Sequence, residues 1–258
     1  MSRTEVRLLG PVVVRMDGRF VNPGSPKQQL LLSALLADPG RPVGTSELIH
    51  RIWGQEPPPT ARSALYTYIA QLRLALSGRE LTLVRQSSGY RIVVDPDRVD
   101  LHRFHSLLDG ARHATSEDGA LDLLTAAAGL HHGTPFEGLH SPWVDALRAT
   151  IDAERRWMTI QRSEILMRCG RPTEVLPELA EAVAAEPLDE SLAEHLMVAL
   201  HLSGQRAAAL RHYHVVRSAL IDELGVDPGV SLRYVYRDLL RDEYASALAR
   251  WCAAPARG

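Results

Sequence analysis

Residues 62–76 carry apolar side chains at the spacing of one face of an α-helix. Successive helical residues turn by about 100°, which brings Leu65, Ile69, Leu72 and Leu76 into one narrow stripe. We expect this stripe to face the core and the helix to span about Thr60 to Ser77. The opposite side carries small or hydroxylated residues and almost no acid: Ser63, Thr67, Ala70 and Leu74, flanked by Tyr66, Arg73 and Gln71, with Arg62 nearer the core edge.

The segment after this helix alternates between apolar and polar positions on both sides of a Ser-Ser-Gly sequence. It reads LTLVRQSSGYRIVV over residues 81–94, a pattern typical of a β-hairpin. The tip of the hairpin would be Arg85 through Gly89. A plain surface hairpin has the same pattern, so the pattern alone leaves both interpretations open.

Shorter patterns precede the helix. EVRLLG, PVVVRM and RFV are strand-like runs, and SPKQQLLLSALLAD opens as a helix with Ser25 as N-cap and Gln28 completing a capping box. RPVGTSELIHRIWG predicts a second helix that starts near Gly44 or Thr45 and stops at Gly54. The predicted order is therefore strands, three helices and a hairpin.

The polar face of the third helix has the chemistry of a DNA-reading surface. Short or flat side chains let a helix approach base edges in the major groove, and arginines grip phosphates. The predicted base contacts are Ser63, Tyr66, Thr67 and Ala70. The predicted phosphate contacts are Lys27, Arg62, Arg73 and Arg85, with Ser87 and Ser88 bringing backbone N–H groups close at the hairpin tip. An ordinary amphipathic helix is the alternative.

Several stretches resemble one known family. GSPKQQLLLSALL, ELIHRIWG, EPPPTARSALYTYIAQLR and SSGYRI resemble the OmpR-type winged helix of the Streptomyces antibiotic regulatory proteins. PFEGLHSPW and IDELGVDPGVSL resemble the bacterial transcriptional activator domain that follows it in that family. The resemblance implies an α+β winged helix-turn-helix with an N-terminal antiparallel sheet in residues 1–96. An all-α, tetratricopeptide-like domain is expected in residues 97–258.

The same resemblance implies a transcriptional activator of a secondary-metabolite (antibiotic) gene cluster. Such regulators bind direct repeats in double-stranded DNA as tandem copies and recruit RNA polymerase holoenzyme with its sigma factor. In OmpR-type domains the loop before the reading helix faces the polymerase, which makes Gln55, Glu56, Pro57, Pro58 and Pro59 the candidate contacts. Three prolines that only space two helices are the alternative. The chain departs from the family pattern at Ser63, Ala70, Gln71, Leu74 and Arg85, so only the docking mode is carried over.

The chain after residue 97 is nearly all helix-forming, and we expect six to eight helices. Asp100 and Ser116 are predicted caps, and one long helix should run from about Trp143 to Cys169. RCGRPTEVLPEL and LSGQRAAALRHY are similar segments, and their glycines, Gly170 and Gly204, are 34 residues apart, which is the tetratricopeptide period, with Leu176 and Leu210 at equivalent places. A generic helical bundle is the alternative. Asp222 to Gly229 is interpreted as a turn rather than a ligand loop.

Charge is distributed unevenly along the 258 residues. Residues 1–96 hold 12 Lys and Arg against 7 Asp and Glu, whereas residues 97–258 hold 17 against 24, within a total charge of −2. This asymmetry fits a basic reader joined to an acidic interaction domain. No apolar run approaches a membrane span, and the two cysteines, Cys169 and Cys252, form no CxxC motif. We therefore expect a cytoplasmic, nucleoid-associated protein with no membrane partner.

Enzyme signatures are missing from the sequence. It has no Walker loop, GxGxxG, GxSxG or HExxH motif, so we expect no catalysis, no cofactor and no metal site. The histidines do not have metal-ligand spacing, and packing is the expected role of His131. Three alternative functions remain: a helical-repeat scaffold whose winged helix binds protein, a repressor with the same reader, and a ligand sensor.

Overall fold

The computed structural model describes residues 4–38, 40–76 and 80–241. The chain forms two compact units, residues 1–154 and 155–258. The last residue of the predicted reading helix, Ser77, and the second cysteine, Cys252, lie outside the described residues. No helix of the described segments is long and apolar enough to cross a membrane.

The first unit opens with a three-stranded antiparallel sheet. Its strands follow chain order: β1 (Glu5–Arg7), β2 (Val13–Met16) and β3 (Arg19–Val21). Asp17 and Gly18, both at positive φ, form the two-residue turn between β2 and β3, since the twist of hairpin strands favours such turns. The strand-like runs predicted from the sequence are confirmed.

Three helices follow the sheet: α1 (Pro26–Leu36), α2 (Thr45–Trp53) and α3 (Ala61–Leu76). The predicted capping box of α1 is present, because the Ser25 N–H donates to Gln28 Oε1 over 2.7 Å. Gly44 caps the start of α2, and Gly54 at φ +77° ends it. The predicted starts of α1 and α2 and the predicted stop of α2 are therefore confirmed.

The predicted hairpin consists of β4 (Thr82–Gln86) and β5 (Gly89–Val93). Gln86 pairs with Gly89, so Ser87 and Ser88 form a two-residue turn at its tip. The predicted tip, Arg85 through Gly89, is too long, because Arg85, Gln86 and Gly89 pair within the strands. Val43 pairs with this hairpin as an isolated antiparallel bridge, because Val43 and Tyr90 exchange backbone hydrogen bonds of 2.7 and 3.0 Å. This hairpin, which is the wing of the winged helix, is therefore paired to the segment that precedes α2.

Helices α4 (Asp100–Arg112) and α5 (Glu117–Ala128) also belong to the first unit. Ser116 caps α5 as predicted, accepting from Gly119 N–H over 3.2 Å. The prediction of Asp100 as a cap is wrong, because Val99 is the cap and Asp100 is the first helical residue. The Asp100 carboxylate turns instead to the end of β1, where it accepts from the N–H groups of Leu8 and Leu9 over 2.8–3.0 Å.

The long helix α6 spans Pro142–Arg168, close to the predicted range from Trp143 to Cys169. The remaining helices of the second unit are α7 (Leu176–Ala185), α8 (Glu190–Leu202), α9 (Arg206–Leu224) and α10 (Val230–Arg241). Glu178 of α7 accepts hydrogen bonds from Thr159 and Arg162 of α6, at 2.7 and 2.5 Å. From Asp100 onward the described residues hold seven α-helices, within the range predicted from the sequence.

The 34-residue repeat is visible in the backbone of the second unit. Gly170 and Gly204 both adopt a left-handed conformation, with φ of +71° and +75°. The residue after each donates its N–H to the carbonyl five residues earlier over 2.8 Å, Arg171 to Leu166 and Gln205 to Leu200. These are two copies of one Schellman helix end. Leu176 and Leu210, the predicted equivalents, are both half-buried.

The segment between α9 and α10 forms a turn, as the sequence indicated. Gly225, at φ +69°, ends α9 in the left-handed region. The Gly229 N–H then donates to a carboxylate oxygen of Glu190 over 2.6 Å, immediately before α10 begins.

Candidate nucleic-acid interface

Helix α3 has the two faces that its sequence predicts. The four residues of the apolar stripe are at most 3% exposed. The opposite face is solvent-exposed along its whole length and consists of Arg62, Ser63, Tyr66, Thr67, Ala70, Gln71, Arg73 and Leu74. Every residue proposed for base contact therefore lies on a surface that DNA can reach.

The aliphatic hydroxyl groups on this face, those of Ser63 and Thr67, are bonded to the helix itself. Ser63 Oγ donates to the Thr60 carbonyl over 2.9 Å, and Thr67 Oγ1 donates to the Ser63 carbonyl over 3.1 Å. Because each hydroxyl has only one proton, both retain acceptor lone pairs for a ligand but no free donor. Ser63 and Thr67 can thus accept hydrogen bonds or make apolar contacts, and the donors of this face are the side chains of Arg62, Tyr66, Gln71 and Arg73.

Three arginines lie on or beside this face, and one of them also contacts the wing. Arg62 and Arg85 are exposed, one at the start of α3 and the other beside the hairpin tip. Arg73 leans toward the wing, with Nε 3.4 Å from the Leu83 carbonyl and its guanidinium carbon 5.8 Å from the centre of the Tyr90 ring. Arg73 thus joins α3 to the wing as well as offering charge to a phosphate.

Lys27 has a structural contact that the sequence did not reveal. Its ammonium donates to the Ile52 carbonyl over 2.8 Å and lies 5.8 Å from the centre of the Trp53 ring. Burial lowers the pKa of this half-buried group below its ordinary value. A cation on the last carbonyls of a helix is stabilising, so Lys27 ties α1 to the end of α2. Its contact with phosphate remains a prediction.

Side-chain contacts with α1 and α2 fix the position of α3. Gln28 Nε2, at the start of α1, donates to Gln71 Oε1 over 2.8 Å. Trp53 of α2 stacks on Tyr68 of α3, with ring centres 6.3 Å apart and planes at 16°. Sequence spacing within one helix cannot show such contacts between helices.

The wing depends on a close backbone approach at Gly89. A Cβ atom at this position would lie 2.1 Å from the Val43 carbonyl oxygen. Only glycine leaves room for the pairing of Val43 with Tyr90. Arg91 adds a second link, donating from Nη1 to the Gly40 carbonyl over 3.4 Å.

The connector before α3 is exposed from Gln55 to Thr60. Its three prolines have fixed φ angles, and the Pro58 carbonyl accepts from the Ala61 N–H over 2.9 Å at the start of the helix. At the other end, a Cβ on Gly54 would lie 3.2 Å from the Pro142 ring. The connector is therefore anchored at both ends while its side chains face solvent.

His131 contacts an aromatic side chain of the first unit. The His131 ring packs edge-on against Phe104, with centres 4.9 Å apart, in agreement with the predicted packing role. Among the described residues, no group of three or more His, Cys, Asp or Glu is placed to hold a metal ion.

Comparison with known proteins places this geometry in a family. Residues 99–240 match the family model described as bacterial transcriptional activator domain, and residues 22–92 match that of transcriptional regulatory protein, C terminal. The first match alone covers more than half of the chain. The chain belongs to the Streptomyces antibiotic regulatory protein family. The predicted fold class, an OmpR-type winged helix followed by a helical activator domain, is confirmed.

Relatives within the Streptomyces antibiotic regulatory protein family differ widely in length. Regulatory protein AfsR of Streptomyces griseus is 36% identical over 96% of this chain, which spans only 26% of that protein. Regulatory protein DnrI of Streptomyces peucetius is 31% identical, with 92% of each chain covered. A solved structure, Mycobacterium tuberculosis EmbR in complex with low affinity phosphopeptide, is 30% identical with a TM-score of 0.82, covering 98% of this chain and 70% of that one.

Proposed function

We propose that this protein is a sequence-specific, DNA-binding transcriptional activator of a secondary-metabolite gene cluster. The observation that carries the proposal is the exposed, acid-free face of α3, which stands beside a wing held to it by Arg73. A winged helix of this kind places the helix in the major groove and the wing on the adjacent backbone or minor groove. Family membership supports this docking mode.

The charge of the segment that holds α3 and the wing also favours DNA as the partner. Residues 60–91 contain five arginines and a single glutamate, so the segment that holds α3 and the wing is strongly basic. Neutralised phosphates release counterions, and the observed affinity then falls by about 0.9 log unit per log unit of salt for each phosphate contact. A helical scaffold that binds protein would not follow this phosphate-dependent slope.

The first test is a footprint over a salt series with the full chain on the upstream regions of the neighbouring gene cluster. We expect protection of two direct repeats about one helical turn apart, because that spacing places two copies on one face of the DNA. Arg85→Ala should reduce the salt slope by about 0.9, since Arg85 is exposed beside the wing tip.

The matched control is Arg103→Ala, which removes an exposed arginine from α4. It should leave the slope unchanged. If wild-type protein protects no DNA at low salt, the proposal fails and the scaffold function takes its place. Protection of one isolated site would contradict only the tandem mode.

For activation, we propose that the connector Gln55–Pro59 contacts RNA polymerase holoenzyme. Its support is the exposure of the whole connector and its anchoring at Gly54 and Pro58, which holds an exposed surface next to DNA-bound α3. Glu56 is the acidic group of this segment and can pair with a basic polymerase surface.

The test of this contact separates transcription from DNA binding. Glu56→Ala combined with deletion of one proline should lower promoter output in a purified transcription assay while operator affinity is retained. Asp122→Ala, which removes an exposed acid from α5, is the control and should change neither quantity. Equal loss of output and affinity in the connector variant would reject the polymerase contact.

A further inference from the structure

One side of the exposed face of α3 carries apolar groups. Thr67, Ala70 and Leu74 lie at i, i+3 and i+7, which puts them on one side of the helix. All three are exposed, and Leu74 is 77% exposed. A leucine side chain in water is unfavourable by comparison with one in contact, so this surface favours a partner that offers apolar groups.

The hydroxyl of Thr67 does not make this surface a hydrogen-bond donor. Its proton is used on the Ser63 carbonyl at 3.1 Å, and the Ser63 hydroxyl is used in the same way on Thr60 at 2.9 Å. The other branch of the Thr67 side chain is a methyl group. Together with the Ala70 methyl and the Leu74 side chain, it supplies the contact chemistry along about 10 Å of helix.

Resting on the proposed DNA-binding function, we infer that Thr67, Ala70 and Leu74 read the operator through the C5-methyl groups of thymine. In the major groove that methyl is the apolar group among the base edges, and Ala and Thr methyl groups are suited to contact it. The arginines around this surface, Arg62, Arg73 and Arg85, supply the charge that brings it against DNA. Specificity at these positions is therefore apolar, whereas affinity is ionic.

The size of the effect follows from the transfer of one methyl group out of water. Each thymine methyl buried against the helix should contribute about a fourfold change in the dissociation constant. Two such contacts would multiply to roughly sixteenfold if they act independently. This is large enough to measure by titration.

The experiment begins with duplexes that the full chain selects from a random-sequence double-stranded library. In the recovered site, each thymine is replaced singly by uracil, which deletes only the C5-methyl and keeps the Watson–Crick pairing. We expect about fourfold weaker binding at one or more protected thymines. Uracil at thymines outside the protected segment is the matched control and should have no effect.

Two substitutions at one position distinguish a methyl contact from a hydroxyl contact. Thr67→Ser keeps the hydroxyl that donates to Ser63 and deletes the methyl, whereas Thr67→Val keeps a methyl and deletes the hydroxyl. Thr67→Val should retain the thymine-over-uracil preference, and Thr67→Ser should lose it at one position. Leu74→Ala should lose it at another, with helix content checked by circular dichroism.

The outcomes separate the inference from the function on which it rests. Recovery of a specific site whose affinity is indifferent to every uracil substitution overturns the inference and leaves DNA binding intact. Loss of preference in Thr67→Val with retention in Thr67→Ser also overturns it, in favour of hydroxyl readout. Failure to recover any preferred sequence overturns both the inference and the proposed function.

Discussion

Single buried polar groups hold the first unit together at its helix ends. His102 of α4 is 8% exposed, and its Nε2 donates to the Leu36 carbonyl, at the end of α1, over 2.6 Å. Its Nδ1 has no hydrogen-bond partner among the described atoms. Protonation would place a second N–H in a buried site without an acceptor. Burial accordingly lowers the pKa of His102 below its ordinary value.

The lowered pKa of His102 predicts how the free energy of unfolding changes with pH. Above about pH 6.5 the ring is neutral in both folded and unfolded chains, so its contribution to the unfolding free energy is complete. As the pH falls below that value, the unfolded chain takes up a proton that the folded chain resists, and stability is lost down to the folded pKa.

Urea unfolding of the wild type between pH 7.5 and 5.5 should show this decline. His102→Gln, whose amide can still donate to Leu36 but does not titrate, should show a smaller one. Burial also lowers the pKa of His212 in the other unit, so the difference between wild type and variant is the quantity to compare. Parallel pH profiles would contradict the role assigned to His102.

At the scale of elements, the wing is the part most dependent on a single residue. Gly89→Ala should lower the free energy of unfolding by about 1–3 kcal/mol, because the added Cβ would meet the Val43 carbonyl oxygen and displace the wing from Val43. DNA affinity should fall with it. Urea unfolding and operator titration measure the two effects.

Gly44→Ala is the control, because Gly44 lies at the same contact between the wing and the segment that precedes α2. A Cβ there meets only the Ser88 carbonyl oxygen, at 3.6 Å, an ordinary van der Waals separation. Its cost should stay below about 1 kcal/mol, set by the weaker N-cap of α2. Similar losses in both variants would show that the wing tolerates displacement.

Local patterns predict these elements well because capping, periodicity and turn chemistry act over a few residues. Ser25 with Gln28 and the stripe from Leu65 to Leu76 formed as predicted, and the hairpin formed with a turn confined to Ser87 and Ser88. Contacts distant in sequence were missed, since helical spacing carries no information about a neighbour. Lys27 on the Ile52 carbonyl and Asp100 on the amides of Leu8 and Leu9 are the main examples.

For the whole molecule, contacts between residues distant in sequence affect where the first compact unit ends. The expected boundary follows residue 96, and the two family models meet between residues 92 and 99. The first compact unit nevertheless extends to residue 154. Besides the Asp100 carboxylate, the backbone of Leu8, Leu9 and Gly10 accepts hydrogen bonds from residues 132, 136 and 137 over 2.8–3.2 Å.

These contacts predict that a fragment of residues 1–154 unfolds cooperatively and retains DNA binding. A fragment of residues 1–96 should be markedly less stable, because it loses these hydrogen bonds and the packing of the buried Phe104. Each lost hydrogen bond should cost about 0.5–1.5 kcal/mol, since the freed backbone groups can bond to water. Thermal unfolding of both fragments makes the comparison, and equal stability would place the boundary at residue 96 after all.

The two Schellman ends at Gly170 and Gly204 have a consequence for changes in the length of this unit. They repeat one helix termination 34 residues apart, which is the tetratricopeptide period. In such repeats each helix pair packs on its neighbouring pairs. Insertion of one whole repeat should therefore disturb the helix packing less than insertion of part of a repeat.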